Sequence, residues 1–138
     1  MPVTALALLW AACTQADAEH RSLRVRRARL RVEVSDTPRE RQVGLQRREA
    51  LDGGMLLVFP TPQTVSLWNR NTPLALDVVF IDKDGVIRGT AALEPDSSET
   101  IESSGPMLYA LEVPRGWLDA SGARVGDRVH NLPPAAAR

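Results

Sequence analysis

Residues Leu67 to Gly85 read LWNRNTPLALDVVFIDKDG, and their pattern decides the fold class. A polar knot, Trp68 to Thr72, gives way at Pro73 to a strongly apolar run. In an extended chain Leu74, Leu76, Val78 and Phe80 face one way, and Ala75, Asp77, Val79 and Ile81 the other. Asp82-Lys83-Asp84-Gly85 reads as a hairpin turn, with Gly85 at the position that needs positive φ. Val86 to Leu93 then returns antiparallel.

One carboxylate, Asp77, sits inside the apolar run. An ionised group is seldom placed there without a partner. It reads either as a pocket carboxylate tuned by burial and a cation, or as a structural acid held by an ion pair or by backbone N–H groups. Arg41 is the expected partner, because a guanidinium suits a buried bidentate pair.

Working outward, Leu23 and Val25 alternate with arginines, and Ala28, Leu30, Val32 and Val34 alternate in the opposite phase. This predicts strand with a bulge or break between Val25 and Ala28. Thr37, Pro38 and Glu40 form a capping box that opens a helix expected to run to about Arg48. Val43 and Leu45 give that helix a thin apolar side, as on a surface helix laid across a sheet edge or barrel mouth. Met55 to Phe59 reads as a buried strand stopped by Pro60 and Pro62, and Val65 to Trp68 as another. Short strands are expected near Thr100 to Glu102, over Tyr109 to Val113, and through Val129.

Many short strands divided by Gly and Pro predict a mostly β protein: an antiparallel sandwich or barrel-like single domain with one short capped α-helix. The expected organisation is an export signal or lipobox-like segment and tether over 1–21, a β domain over 22–132, and a disordered tail over 133–138.

At 138 residues the chain is one domain, long enough to bury a core without staples. Seventeen basic residues balance seventeen acidic ones, and aromatic residues are few, which argues against nucleic acid as a partner. Ala5 to Ala12 is too short to span a bilayer, but it fits the apolar core of a secretory signal. Leu9-Trp10-Ala11-Ala12-Cys13 resembles a bacterial lipobox, which makes Cys13 the candidate lipidation site. The expected location is therefore exported, in the periplasm or on the outer surface, with membrane contact only through that N-terminal anchor. The alternative is a frayed cytoplasmic N-terminus with an incidental cysteine. With one cysteine there is no intrachain disulfide to settle the compartment.

Trp68 and Asn71, beside a proline turn, offer an aromatic face and an amide to a small polar ligand. The plainer reading is a core tryptophan and a turn-forming Asn71. Glu112 on a strand and Asp127 at a turn read first as solvated residues. A paired-carboxylate hydrolase needs two such groups across a cleft. His20 and His130 lie near the termini without a Cys or His cluster, so no metal or other cofactor is expected. Nucleophile elbows and phosphate loops are absent from the sequence.

Several segments, read together, resemble one family. They are Val32-Glu33-Val34, Glu40 to Leu45, Gly54 to Phe59, Trp68 to Thr72, Pro73 to Asp82, Leu111-Glu112-Val113 and Gly126-Asp127. In this order, over about Leu30 to Val129, they resemble the bacterial and archaeal "domain of unknown function 192" family. The resemblance implies a compact, mostly β domain, often behind an export signal, and no established activity, substrate or cofactor. Gln46 and Asn69 stand where methionine is typical of that family.

The function expected is binding of a small polar ligand or an envelope partner through Arg41, Trp68, Asn71 and Asp77. The alternatives are a hydrolase that uses Asp77 or Glu112 with Arg41, and a purely structural envelope protein. Binding requires a pocket lined by Trp68 without a reacting carboxylate pair. A hydrolase requires two facing carboxylates, and a structural role requires Trp68 and Asp77 packed with no cavity beside them.

Overall fold

The computed structural model describes residues 18–138. Cys13 and the lipobox-like segment lie outside them. Seven strands and two short helices follow in the order β1 (His20–Val25), β2 (Ala28–Ser35), α1 (Pro38–Val43), β3 (Gly54–Leu67), β4 (Leu76–Ile81), β5 (Ile87–Leu93), β6 (Ile101–Pro114), α2 (Trp117–Ser121) and β7 (Val129–His130). The strands form one curled sheet in the order β5-β4-β6-β3-β2-β1-β7. At one corner its two edges meet. Val86 bridges Arg128, Ile87 N–H donates to the Asp127 carbonyl and Val129 N–H to the Gly85 carbonyl. The result is a mostly β half-barrel.

The break expected near residue 26 is the β1–β2 hairpin turn, with Arg26 at φ +54°. All strand pairs are antiparallel except β2 with β3. A parallel pair needs a crossover, and the 36–53 segment carrying α1 supplies it. The capping box is present: Glu40 N–H donates to Thr37 Oγ1, and the Glu40 carboxylate accepts from Thr37 N–H. The helix stops at Val43 rather than near Arg48, because Gly44 takes φ +49° and its N–H closes on the Glu40 carbonyl. α2 was not expected from the sequence.

Pro60 and Pro62 do not divide β3 into two strands. The strand runs on through them, and the register against β6 shifts between Val58 and Gln63. The prolines sit at this bend, where ladder bonds are already interrupted. The opposing strand bends with it. Ser103 Oγ accepts from Val65 N–H and donates to the Gly105 carbonyl, so a side chain replaces a ladder bond. Gly54 lets the two strands approach, since a Cβ there would lie 2.9 Å from the Glu112 carbonyl oxygen.

Apolar clusters cover both faces of the sheet's centre. Val32, Leu56, Val79, Ile81, Leu111 and Val113 belong to one cluster. Leu57, Leu76, Val78, Phe80, Leu93 and Ala110 belong to the other. All six residues of β4 are buried, which explains its continuous apolar run. In the turn that follows, burial pushes the Asp82 carboxylate up. Bonds from Val86 N–H, Arg88 and Asp84 N–H outweigh it and bring the pKa below its usual value.

Asp77 is not paired with Arg41. Its Oδ2 accepts from Gly116 N–H at 3.0 Å and Leu118 N–H at 3.2 Å, and its Oδ1 lies 3.4 Å from Arg115 Nε. The carboxylate thus caps α2 from a distance, where Gly116 offers no side chain. Arg115 also donates to the Leu93 carbonyl and to Glu94, so the knot ties β4, β5 and the end of β6 together. The chain after β7, read as a disordered tail, lies instead against the sheet. Ala136 is buried and donates its N–H to the Phe59 carbonyl, and Tyr109 donates its hydroxyl to the Pro133 carbonyl.

Asp77→Ala leaves two backbone N–H groups without their acceptor and removes the carboxylate that faces Arg115. The expected cost is about 3 kcal/mol by urea denaturation. In double-mutant cycles it is expected to be non-additive with Arg115→Ala and additive with Arg41→Ala.

Candidate functional site

A cavity of ≈ 340 Å³ opens between the α1 segment and the end of β3. One wall is the 41–46 turn, another the stretch from Ser66 to Arg70, and Leu57 and Glu112 come from the sheet. α1 is too short to bury a face, and its job here is to bring the Gly44–Leu45 turn over the sheet. Leu45 is buried against the cluster that holds Leu57.

Glu112 is the departure from the sequence reading. It is 6% exposed rather than solvated. On β6 it pairs with Met55 on one side and Val78 on the other, both buried and apolar. Among the described residues no donor reaches its carboxylate, and no fully occluded side-chain oxygen lacks a partner. The Glu112 oxygens therefore face the open cavity. Burial alone pushes its pKa up to about 7.

Three further buried or covered groups shape the wall. Asn69, 2% exposed, spends both amide hydrogens on the carbonyls of Leu74 and Glu94, at 2.7 and 2.8 Å. Thr72 Oγ1 donates to the Arg70 carbonyl. Gln46 Nε2 donates to the Gln42 carbonyl. Both positions that depart from the family pattern, Gln46 and Asn69, line this cavity. Asn69 also clips the 69–74 turn to the end of β5, and that local demand for two donors explains an amide there.

The residues singled out from sequence divide in two. Arg41 and Trp68 line the cavity, whereas Asn71 and Asp77 do not. Arg41 turns its guanidinium to the carbonyls of Val58 and Arg138 and over the Phe59 ring. Trp68 is 46% exposed, not core, and Arg70 lies over its ring at 3.8 Å. Asn71 is a turn residue at φ +54° whose carbonyl accepts from Arg47 N–H. Asp77 belongs to the α2 knot. Among the described residues no three His, Cys, Asp or Glu side chains gather as metal ligands do.

A sequence model of the family DUF192, described as an uncharacterised ACR, matches residues 21–131. No curated protein matches the chain. Solved structures are similar, among them two of comparable fold. One is a protein from Sinorhizobium meliloti 1021 whose name offers it as a candidate transcription regulator, at 34% identity and a TM-score of 0.79, covering 82% of this chain and 94% of that one. The other is a protein of unknown function from Novosphingobium aromaticivorans DSM 12444, at 26% identity and a TM-score of 0.78, covering 86% of this chain and 89% of that one.

Glu112 ionises near pH 7 when folded and near 4.5 when unfolded. As pH rises the unfolded chain loses this proton first. The stability the group contributes is complete below 4.5, declines through that window and is gone above 7. Glu112→Gln removes the titration. The variant is expected to match wild type near about pH 4 and to exceed it by on the order of 3 kcal/mol near about pH 8, read by denaturant midpoints.

Proposed function

The chain belongs to the uncharacterised DUF192 family, and for it we propose a binding role: the cavity beside Trp68 holds a small polar ligand. The observation that carries this reading is Glu112. A carboxylate buried between Met55 and Val78 with no donor among the described residues is costly to keep, and a ligand that answers it offsets that cost. The cavity has the size of a small-molecule site, and its lining mixes Leu45, Leu57 and Leu67 with polar and charged groups. The half-exposed Trp68 adds an aromatic face at its edge, on a loop held by a rigid sheet.

The paired-carboxylate hydrolase finds less support. Glu112 is the single acid among the lining residues, and Asp77 is committed to Arg115 and α2. A purely structural role is disfavoured by the same cavity and by the exposure of Trp68. We place the domain outside the cytoplasm, tethered through Cys13, on the strength of the apolar Ala5–Ala12 run before that cysteine. An envelope protein is the other partner this location supplies.

A thermal-shift screen of the full chain against sugars, nucleotides, amino acids and amines tests the binding role. A ligand at a hundred times its Kd stabilises by about 2.7 kcal/mol, a rise of several degrees. The rise is expected in wild type and not in Trp68→Ala. Silence across the whole screen would sink the small-ligand reading and leave the partner protein.

A further inference from the structure

We infer that the ligand of this cavity is a small organic cation, an amine or amidine whose charged head sits against Glu112. The inference rests on the binding role proposed above and specifies its chemistry.

The buried polar groups of the wall offer acceptors, while Gln42, Ser66, Arg70 and Thr100 are exposed. Asn69 has given both amide hydrogens to carbonyls, so it presents only Oδ1. Thr72 has given its hydroxyl hydrogen to the Arg70 carbonyl, so it presents only lone pairs. The Glu112 carboxylate is an acceptor when ionised. All three residues are buried, line the same cavity and lack a donor to these atoms among the described residues. A primary ammonium carries three N–H donors and no acceptor, and an amidinium carries four. Either fits these buried acceptors, whereas a carboxylate or phosphate set against them would meet lone pairs.

The two arginines of the lining do not reverse this balance. The Arg41 guanidinium is engaged by two carbonyls and the Phe59 ring, and Arg70 is stacked on Trp68. Neither lowers the Glu112 pKa, for which burial is the sole cause. From the strands packed against it, Glu112 meets Met55 on β3 and Val78 on β4, neither of which titrates. Leu45, Leu57 and Leu67 supply apolar wall for an alkyl or aryl body.

Pairing a cation requires ionised Glu112, so below its pKa binding must release a proton. Affinity should then rise with pH by up to about tenfold per unit and level off above about 7.

The test is calorimetric titration of the full chain with n-butylammonium, n-butanol and butyrate, at about pH 6 and about pH 8. The expected result is binding of the ammonium alone, several-fold tighter at the higher pH, and lost in Glu112→Gln. Thr72→Val removes one acceptor without touching the charge, and should weaken the ammonium roughly three- to tenfold; it serves if Glu112→Gln does not fold. Butyrate or butanol binding as well as the ammonium would overturn the inference. So would ammonium binding that ignores pH and survives Glu112→Gln. If a sugar or nucleotide from the thermal screen binds in a Trp68-dependent way and no amine does, the cationic class falls and the pocket reading stands. If neither amines nor the screened compounds bind, both fall.

Discussion

The pairing of β3 with β6 is the constraint on which the molecule turns. These are the two longest strands, and they lie side by side in the middle of the sheet. Because neighbouring residues of a strand face opposite sides, this one ribbon contributes Leu56, Val58 and Leu111 to one apolar cluster and Leu57, Val65, Met107 and Ala110 to the other. The bend in the ribbon creates the cavity. It carries the end of β3 away from the half-barrel and leaves Glu112 and Leu57 under the gap, which the Gly44–Leu45 turn then roofs. Gly54 matters for the same reason, because a side chain there would strike the β6 backbone beside Glu112.

Local chemistry was legible in the sequence, and long-range partnership was not. The alternation in Leu74 to Ile81, the Asp82–Gly85 turn and the Thr37–Glu40 capping box are each decided within a few residues, and each appears as read. The partner of Asp77 is Arg115, remote along the chain and brought near only by the β4–β6 register. Nothing local marks it, and Arg41 was an equal chemical choice. Pro60 and Pro62 read as stops because proline ends a flat strand, but a bent strand has unpaired positions that accept it. Glu112 had a signal that went unused. It interrupts the nearly continuous apolar run from Met107 to Val113, and such a run belongs to a strand covered on both faces, where no residue is solvated.

The two buried acids illustrate how differently a fold can treat a carboxylate. Asp77 is given two backbone donors and a guanidinium, and it becomes a fastener. Glu112 is given none among the described residues, and its charge is resisted by burial. Of the four residues first grouped as a site, two stand at the cavity and two are structural. Asp77 is already satisfied by the protein and has little left to offer a ligand, and Asn71 serves the turn at positive φ.

The meeting of the sheet's two edges at Val86 and Arg128 bears on how this chain behaves among its copies. An open sheet of seven strands exposes two rows of unpaired N–H and C=O groups, the template on which other chains add strands and aggregate. Here one edge strand, β7, is two residues long, and its neighbourhood bonds to the start of the other, β5. The rest of β5 carries an irregularity at Arg88, where its register against β4 shifts. The curl that builds the half-barrel thus also shortens its adhesive borders, and it guards the protein against self-templating without a dedicated gatekeeper strand.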